Sequence, residues 1–181
     1  MKYEVLFKEY ANKYIKRDGI DKLLESLSKT DFYTAPASTR FHDSHEGGLV
    51  KHSVEVFEHL KNITEKNKTG YDMESVAIVS LFHDICKVHF YKVEMRNSKE
   101  NGKWVKVPYY TVDDKLPLGH GEKSIIMIRE FMELSVDEML AIRWHMGGFV
   151  PKEEYLSIGK AYEQCPLALD LHFADMRATY L

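Results

Sequence analysis

Ser80-Leu81-Phe82-His83-Asp84-Ile85-Cys86-Lys87 is the stretch of this chain that combines an apolar helical pattern with ionisable side chains. The run from Val76 to Cys86 is apolar at almost every position, which predicts a helix buried on most of its sides. A carboxylate buried there without a partner costs several kcal/mol, so Asp84 needs a compensating charge. A bound cation would supply it. The alternative is an ion pair with Lys87, with His83 as a hydrogen-bonded core histidine.

The length and charge of the chain place it among single-domain proteins without a global electrostatic partner. Its 181 residues predict one domain, residues 1–181, large enough to bury a sizeable core. The formal net charge is -3, from 25 basic and 28 acidic residues, which gives no global argument for nucleic acid or an anionic membrane. No apolar run reaches the ~18 residues of a membrane span. We expect a cytoplasmic protein that does not bind a membrane.

Cysteine and histidine usage bears on metal binding. Cys86 and Cys165 are far apart and form no CxxC motif, which argues against a thiolate zinc site. Histidine is the residue type that stands out, with nine in the chain: His42, His45, His52, His59, His83, His89, His120, His145 and His172.

Apolar periodicity predicts a mainly helical protein with one β-hairpin. Helical spacing predicts helices over 3–16, 20–27, 49–63, 76–86, 125–132, 134–146, 155–164 and 167–180. Residues 89–112 instead alternate in polarity on both sides of Asn101-Gly102, a strong hairpin-turn signal. The predicted fold class is therefore all-α, a compact helical bundle with one inserted hairpin at about residues 89–112.

Two segments outside the helices carry polar chemistry. The stretch from Thr30 to Glu46 lacks periodicity and reads as an ordered loop that contains Arg40 and His45. The hairpin is locally basic, and its Trp104, Tyr109 and Tyr110 offer stacking surface for a base. The alternative is that the hairpin is purely structural, with one face exposed to solvent and the other packed on the core.

Candidate metal ligands occur on several predicted helices. His52 lies inside an apolar stripe, His120 at a helix N-terminus and His145 near a helix C-terminus, while Asp175 lies on the last helix. Each of these residues has an ordinary structural explanation when taken alone. A single shared role is favoured for the whole set. Imidazole and carboxylate donors without thiolate suit Mn, Fe, Co, Ni or Zn, and a bridging Asp84 would be sufficient for a two-metal hydrolase.

The order of these motifs resembles the HD-domain superfamily of metal-dependent phosphohydrolases, in its H…HD…H…H…D form. The matching segments, which span roughly residues 38–180, are Gly47-Gly48-Leu49-Val50-Lys51-His52-Ser53, Phe82-His83-Asp84-Ile85-Cys86-Lys87, His120-Gly121-Glu122-Lys123-Ser124, Trp144-His145-Met146-Gly147 and His172-Phe173-Ala174-Asp175. Residues 1–30 fall outside the resemblance, and we expect their helices to pack on the HD domain.

The resemblance implies a role for each matching residue. It implies a first metal held by His52, His83, Asp84 and Asp175, and a second metal held by His120 and His145 and bridged by Asp84. Lys87 would meet a substrate phosphate and act with Asp84 in catalysis, and Arg40 and His45 are candidates for further substrate contacts. The implied cofactor is one or two divalent transition metal ions, Mn, Fe, Co or Ni, with Mg or Zn as alternatives.

This chain departs from the family pattern at two motif positions. Cys86 stands where glycine is common, and Met146 follows His145 where some two-metal members have a second histidine. The sequence of the loop around His42 to His45 also differs from the family pattern.

The resemblance implies hydrolysis of a phosphate ester through a metal-activated water. A small phosphorylated substrate, above all a nucleotide, and nucleic acid are the partners that fit. The choice among a mononucleotide, a cyclic nucleotide, a nucleic-acid end and another small phosphate ester stays open, as does the oligomeric state. Two alternatives remain: an HD-type di-iron oxygenase, and a catalytically silent domain that binds a nucleotide.

Overall fold

The computed structural model describes residues 2–181, which form a helical bundle with one hairpin. Its elements in chain order are α1 (Lys2–Tyr14), α2 (Ile20–Ser28), α3 (Gly48–Asn67), α4 (Met73–Phe82), β1 (Tyr91–Glu100), β2 (Lys103–Val112), α5 (His120–Arg129), α6 (Val136–Trp144), α7 (Tyr155–Gln164) and α8 (Pro166–Tyr180). Short 3-10 helices cover Ile85–Lys87 and Lys152–Glu154. The predicted fold class is confirmed. None of the helices in residues 2–181 is long and apolar enough to cross a membrane.

The core lies between α3, α4, α6 and α8. Helix α3 packs against α8 and α4, and α6 packs against α8 and α5. The apolar residues of α4 from Val76 to Phe82 are all buried, as its unbroken apolar pattern predicts. Because α3 and α4 lie at the centre, the histidines at their inner positions are carried into the core.

Helix α1 packs on the same core. Phe7 and Ala11 are fully buried. The Phe7 ring lies 5.0 Å from the ring of Phe32 and 5.5 Å from that of Phe82, measured between centroids. The N-terminal segment therefore touches the residue that immediately precedes His83.

The helix predicted over 76–86 ends earlier than its apolar pattern indicates. Helix α4 stops at Phe82, and Asp84 takes φ −106° and ψ 15°, outside the helical region. The His83 Nδ1–H donates to the Ser80 carbonyl at 2.8 Å, and that oxygen would accept the Asp84 N–H in a continued α-helix. The imidazole thus satisfies a backbone group at the helix end, and His83-Asp84 lies in a turn.

The hairpin forms where it is predicted. Asn101 and Gly102 both have positive φ, 49° and 81°, as a two-residue type I′ turn requires. The strands pair in register from Glu100↔Lys103 to Tyr91↔Val112, and the Asp113 N–H donates to the Phe90 carbonyl at 2.8 Å. The hairpin therefore leaves the helical bundle and rejoins it at the same place.

A buried carboxylate joins the start of α6 to the N-terminal segment. The capping box that the sequence predicts is present, with Ser135 as N-cap and Glu138 as its partner. Glu138 is fully buried and accepts hydrogen bonds from Arg17 Nη1 at 2.6 Å and Ser75 Oγ at 2.7 Å. One carboxylate thereby ties α4, α6 and the chain after α1 together.

Candidate metal centre

The structure brings the six predicted metal ligands to one place. His52 comes from α3, His83 and Asp84 from the turn after α4, His120 from the start of α5, His145 from the end of α6 and Asp175 from α8. Of these, His52, His83, Asp84 and His145 are at most 2% exposed. The six residues are called the His/Asp cluster below.

Asp84 lies at the centre of the His/Asp cluster and presents each carboxylate oxygen to a different pair of histidines. Its Oδ2 is 3.4 Å from His83 Nε2 and 3.8 Å from His52 Nε2. Its Oδ1 is 2.6 Å from His120 Nε2 and 3.6 Å from His145 Nε2. This is the arrangement that a carboxylate needs in order to bridge two cations.

Asp175 completes the Oδ2 side of the cluster. Its Oδ1 lies 3.0 Å from His52 Nε2. The Nε2 atoms of His52 and His83 face each other at 3.4 Å. His52, His83 and Asp84 each offer a ligand atom within 4.8 Å of the others, so these donors converge on one point.

Two histidines of the cluster are oriented by the ends of their own helices. The Nδ1–H of His145 donates to the Ile142 carbonyl at 2.7 Å, just as His83 donates to Ser80. Since a carbonyl only accepts, each Nδ1 must carry a proton, so that in the neutral form of either ring the lone pair lies on Nε2. His145 Nε2 is buried and has no hydrogen-bond partner in the described chain. A buried lone pair of this kind needs a cation or a donor.

His120 reaches the cluster because α5 and α6 approach closely. A Cβ on Gly121 would lie 2.7 Å from the Arg143 Cα and the Ile142 carbonyl oxygen, so only glycine permits this approach. On its other side, His120 Nδ1 lies 3.2 Å from Cys86 Sγ. Burial raises the pKa of Cys86 to about 12, and Asp84, Cys86 and His120 each offer a ligand atom within 4.8 Å of the others.

The carboxylates of the cluster favour positive charge among the imidazoles. Burial alone would raise the pKa of Asp84, but Lys87, His83 and His120 hold it well below its ordinary value. Burial likewise works against ionisation of Asp175, and the hydrogen bond and charge of His52, together with His83 and His145, outweigh it and lower that pKa. Burial disfavours the charged form of His83, yet the nearby Asp84 raises its pKa. Divalent cations meet the same electrostatic requirement.

Lys87 forms the ion pair with Asp84 that the sequence allows, in addition to the histidine contacts. Its Nζ donates to Asp84 Oδ2 at 2.6 Å. Burial opposes its charge, but Asp84 raises the pKa of Lys87, which therefore stays cationic. Lys87 compensates Asp84 and His52 contacts Asp175, whereas the buried Nε2 of His145 has no hydrogen-bond partner in the described chain and remains for a metal to satisfy.

A cavity of about 390 Å³ opens above the cluster and is called the central cavity. Its polar floor contains His52, Asp84, Lys87 and Asp175. Its walls are aromatic and apolar side chains that surround this floor: Phe41, Met146, Phe149, Met176 and Tyr180. A ligand there would meet both charged groups and aromatic rings.

The three predicted substrate contacts lie in different surroundings. Lys87 lines the central cavity. Arg40 is exposed next to the hairpin, and its guanidinium lies 5.2 Å over the Phe41 ring. His45 is exposed, and its Nε2 lies 3.1 Å from Asp43 Oδ1. As substrate contacts, Arg40 and His45 stay predictions.

His42 belongs to the site, although the sequence reasoning did not select it. Its ring lies 4.8 Å from that of His52, it lines the central cavity, and both its nitrogens are buried without a hydrogen-bond partner in residues 2–181. Burial lowers the pKa of His42 to about 4, so the ring is neutral. The signal available in the sequence was only a second histidine three residues before His45.

Donor chemistry and geometry fit divalent transition metals. The four imidazoles and two carboxylates of the His/Asp cluster form a set that such ions accept. Supporting hydrogen bonds are present as well, since the His172 Nδ1–H donates to the His145 carbonyl at 2.7 Å.

Comparison with protein-family models identified a family for this chain. The family model described as the HD domain matches residues 49–179, which include all six residues of the His/Asp cluster. No curated protein and no solved structure matched the chain.

Proposed function

This chain belongs to the HD-domain family, whose members are generally metal-dependent hydrolases, and we propose that it is a phosphohydrolase that cleaves a phosphate ester of a nucleotide or nucleic acid. The observation that carries the proposal is Asp84, whose two oxygens face two separate histidine pairs. We assign His52, His83, Asp84 and Asp175 to a first ion, and Asp84, His120 and His145 to a second. One or two divalent ions held there would supply a Lewis acid and lower the pKa of water.

The protein side chains would orient the substrate and balance its charge. Lys87 keeps its proton on Nζ, 2.6 Å from Asp84, at the floor of the cavity. From that position it would donate to a nonbridging phosphate oxygen and stabilise the negative charge that develops during hydrolysis. His83 and His145 hold their Nδ1 protons on backbone carbonyls, so their Nε2 atoms stay available as ligands through the reaction.

The aromatic walls support a substrate that carries a ring. Phe41, Phe149 and Tyr180 line the central cavity and are 75%, 69% and 70% exposed, so their faces are accessible. Exposed ring faces beside a phosphate-binding floor suit a nucleobase, which stacks without sequence preference.

Metal content and turnover, measured together, test the proposal. The protein would be loaded separately with Mn, Co, Ni or Fe(II) and assayed against bis-p-nitrophenyl phosphate and a nucleotide panel. We expect phosphate-ester cleavage that Asp84→Asn abolishes. Asp170→Asn is the matched control, because Asp170 lies on α8 with Asp175 but accepts its hydrogen bond from Tyr71.

Two results would overturn the phosphohydrolase. Two bound irons with oxygen uptake and no ester cleavage would indicate the oxygenase. Tight nucleotide binding to metal-loaded protein with no turnover would indicate a silent binding domain.

A further inference from the structure

The loop before α3 and the hairpin enclose a second cavity beside the metal centre. This hairpin cavity measures about 370 Å³ and is lined by Thr39, Arg40, Ser44, Val93, Arg96, Pro108, Tyr109 and Tyr110. Tyr91 fastens the hairpin to the loop, since its hydroxyl donates to the Ala37 carbonyl at 3.0 Å. This hydrogen bond holds the loop and the hairpin, which form the two walls of the cavity, in a fixed position relative to each other.

Two arginines without ionic partners lie in the hairpin cavity. Arg40 stacks on Phe41, and Arg96 lies 5.1 Å over the ring of Tyr109. Within residues 2–181 neither guanidinium pairs with a carboxylate. Stacking occupies the face of a guanidinium but leaves its N–H edge free, and that edge binds phosphate bidentately. The cavity thus presents two unused phosphate donors.

The hairpin that forms one wall of this cavity carries more basic than acidic residues. Its basic residues Lys92, Arg96, Lys99, Lys103 and Lys106 outnumber Glu94 and Glu100. Glu94 is already paired with Lys92 at 2.8 Å. An anion at Arg40 and Arg96 would therefore meet a locally positive surface on a chain whose net charge is -3.

Phe41 joins the hairpin cavity to the central cavity. It lines the central cavity, and it also lines a depression that shares Thr39, Arg40, Arg96, Tyr109 and Tyr110 with the hairpin cavity. Phe41 therefore belongs both to the lining that contains Asp84 and Lys87 and to the lining that contains Arg40 and Arg96. The adjoining linings thus offer a cationic lysine, an aromatic ring and a second cationic group in alternation, namely Lys87, Phe41 and then Arg40 with Arg96.

Single-stranded nucleic acid has the same alternation of phosphate, base and phosphate. A nucleoside triphosphate does not, because its phosphates are contiguous and no base lies between them. We propose that Arg40 and Arg96 bind the phosphate of a neighbouring nucleotide, so that the substrate is the end of a single-stranded oligonucleotide whose base stacks at Phe41. This inference rests on the proposed function for the chemistry, but its binding site is separate from the His/Asp cluster.

Binding measured apart from turnover tests this inference. The anisotropy of fluorescein-labelled hexathymidylate and hexauridylate would be followed with metal-free protein in chelator, over a range of salt. We expect Arg96→Ala to weaken binding about tenfold and to reduce the slope of log K against log salt by about 0.7. Lys99→Ala is the matched control, since this exposed lysine is on the same strand but does not line either cavity.

Turnover provides the second readout. In metal-loaded protein, Arg96→Ala should raise KM for the oligonucleotides about tenfold, and should leave cleavage of thymidine 5′-monophosphate p-nitrophenyl ester unchanged because that ester has no neighbouring phosphate. Excess nucleoside triphosphate should compete poorly for the labelled oligonucleotide.

The outcomes separate this inference from the proposed function. Equal loss of binding in Lys99→Ala and Arg96→Ala, or no loss in either, would overturn the arginine site. Cleavage of the mononucleotide ester with no preference for oligonucleotides would contradict this inference and still support the phosphohydrolase. Arginine-dependent binding with no cleavage of any ester would support the site and contradict the phosphohydrolase.

Discussion

His83 and His145 perform a structural and a chemical task with the two nitrogens of one ring. Each Nδ1–H takes the place of a backbone N–H at the end of a helix, and each Nε2 points into the His/Asp cluster. The backbone carbonyls of Ser80 and Ile142 therefore fix the tautomer that a metal ligand needs.

Replacement of His145 by Asn tests the division into two metal positions. We expect His145→Asn to retain the ion at His52 and His83, to lose the ion at His120, and to lower turnover at least about a hundredfold. Metal content after dialysis, together with ester cleavage, would measure both effects. His59→Asn, on α3 but outside the cluster, should change neither, and full double occupancy in His145→Asn would contradict the assignment.

The depressed pKa of Glu138 predicts how the stability of the protein depends on pH. Burial alone would raise its pKa, but hydrogen bonds from Arg17, Ser135 N–H and Ser75 lower it below the ordinary 4.5. A carboxyl whose folded-state pKa is depressed contributes stability that is fully present above the unfolded value and is lost as pH falls through the folded pKa. We therefore expect Glu138→Gln to cost about 1–3 kcal/mol at neutral pH, and the difference from wild type to shrink below pH ~4.5.

Thermal unfolding followed by circular dichroism across that pH range measures the effect. Glu25→Gln removes the exposed pair with Lys29 and serves as the control, which should leave the curve unchanged. A constant gap between Glu138→Gln and wild type at all pH values would contradict the prediction.

At the scale of elements, the approach of α5 to α6 positions His120. Gly121→Ala would place a methyl group against the Arg143 and Ile142 backbone. We expect a loss of about 1–3 kcal/mol in the free energy of unfolding from overpacking, with at least about tenfold weaker binding of the second ion. Isothermal titration calorimetry with Mn or Co would measure the weaker binding of the second ion.

Gly159→Ala supplies a matched control on α7. A Cβ there meets nothing within 4 Å, so the substitution should raise stability by about 0.4–1 kcal/mol and leave metal binding unchanged. Two tightly bound ions in Gly121→Ala would contradict the role given to this helix contact.

The sequence predicts the elements well, because their signals are local. The hairpin register follows from Asn101-Gly102, and the start of α6 follows from Ser135 and Glu138. The early end of α4 was not predictable from apolar periodicity, since it depends on which way the His83 ring turns. His42 was missed for a related reason: its contact with His52 depends on a loop conformation that no periodic pattern encodes.

At the scale of the molecule, we propose that residues 1–181 form one cooperative domain. Phe7→Ala would leave a cavity among Phe32, Tyr33 and Phe82, and we expect a loss of about 3–5 kcal/mol. The fluorescence of buried Trp144, on α6, and the far-ultraviolet dichroism should shift together in one transition. Val5→Ala, at a residue that is 55% exposed on the same helix, should shift neither.

A separate N-terminal unit would behave differently. If α1 and α2 unfolded on their own, Phe7→Ala would leave the Trp144 transition in place and add an earlier one to the dichroism curve. That result would remove residues 1–30 from the domain.

The closed base of the hairpin has a consequence for how such a protein can change over generations. Because Tyr91 pairs with Val112 and Phe90 with Asp113, the insertion returns to its starting point before the chain reaches His120. Strand pairs can be added to or deleted from its outer end without altering the spacing of the ligands on either side. Descendants of one ancestor can therefore change the hairpin surface while they inherit the same His/Asp cluster.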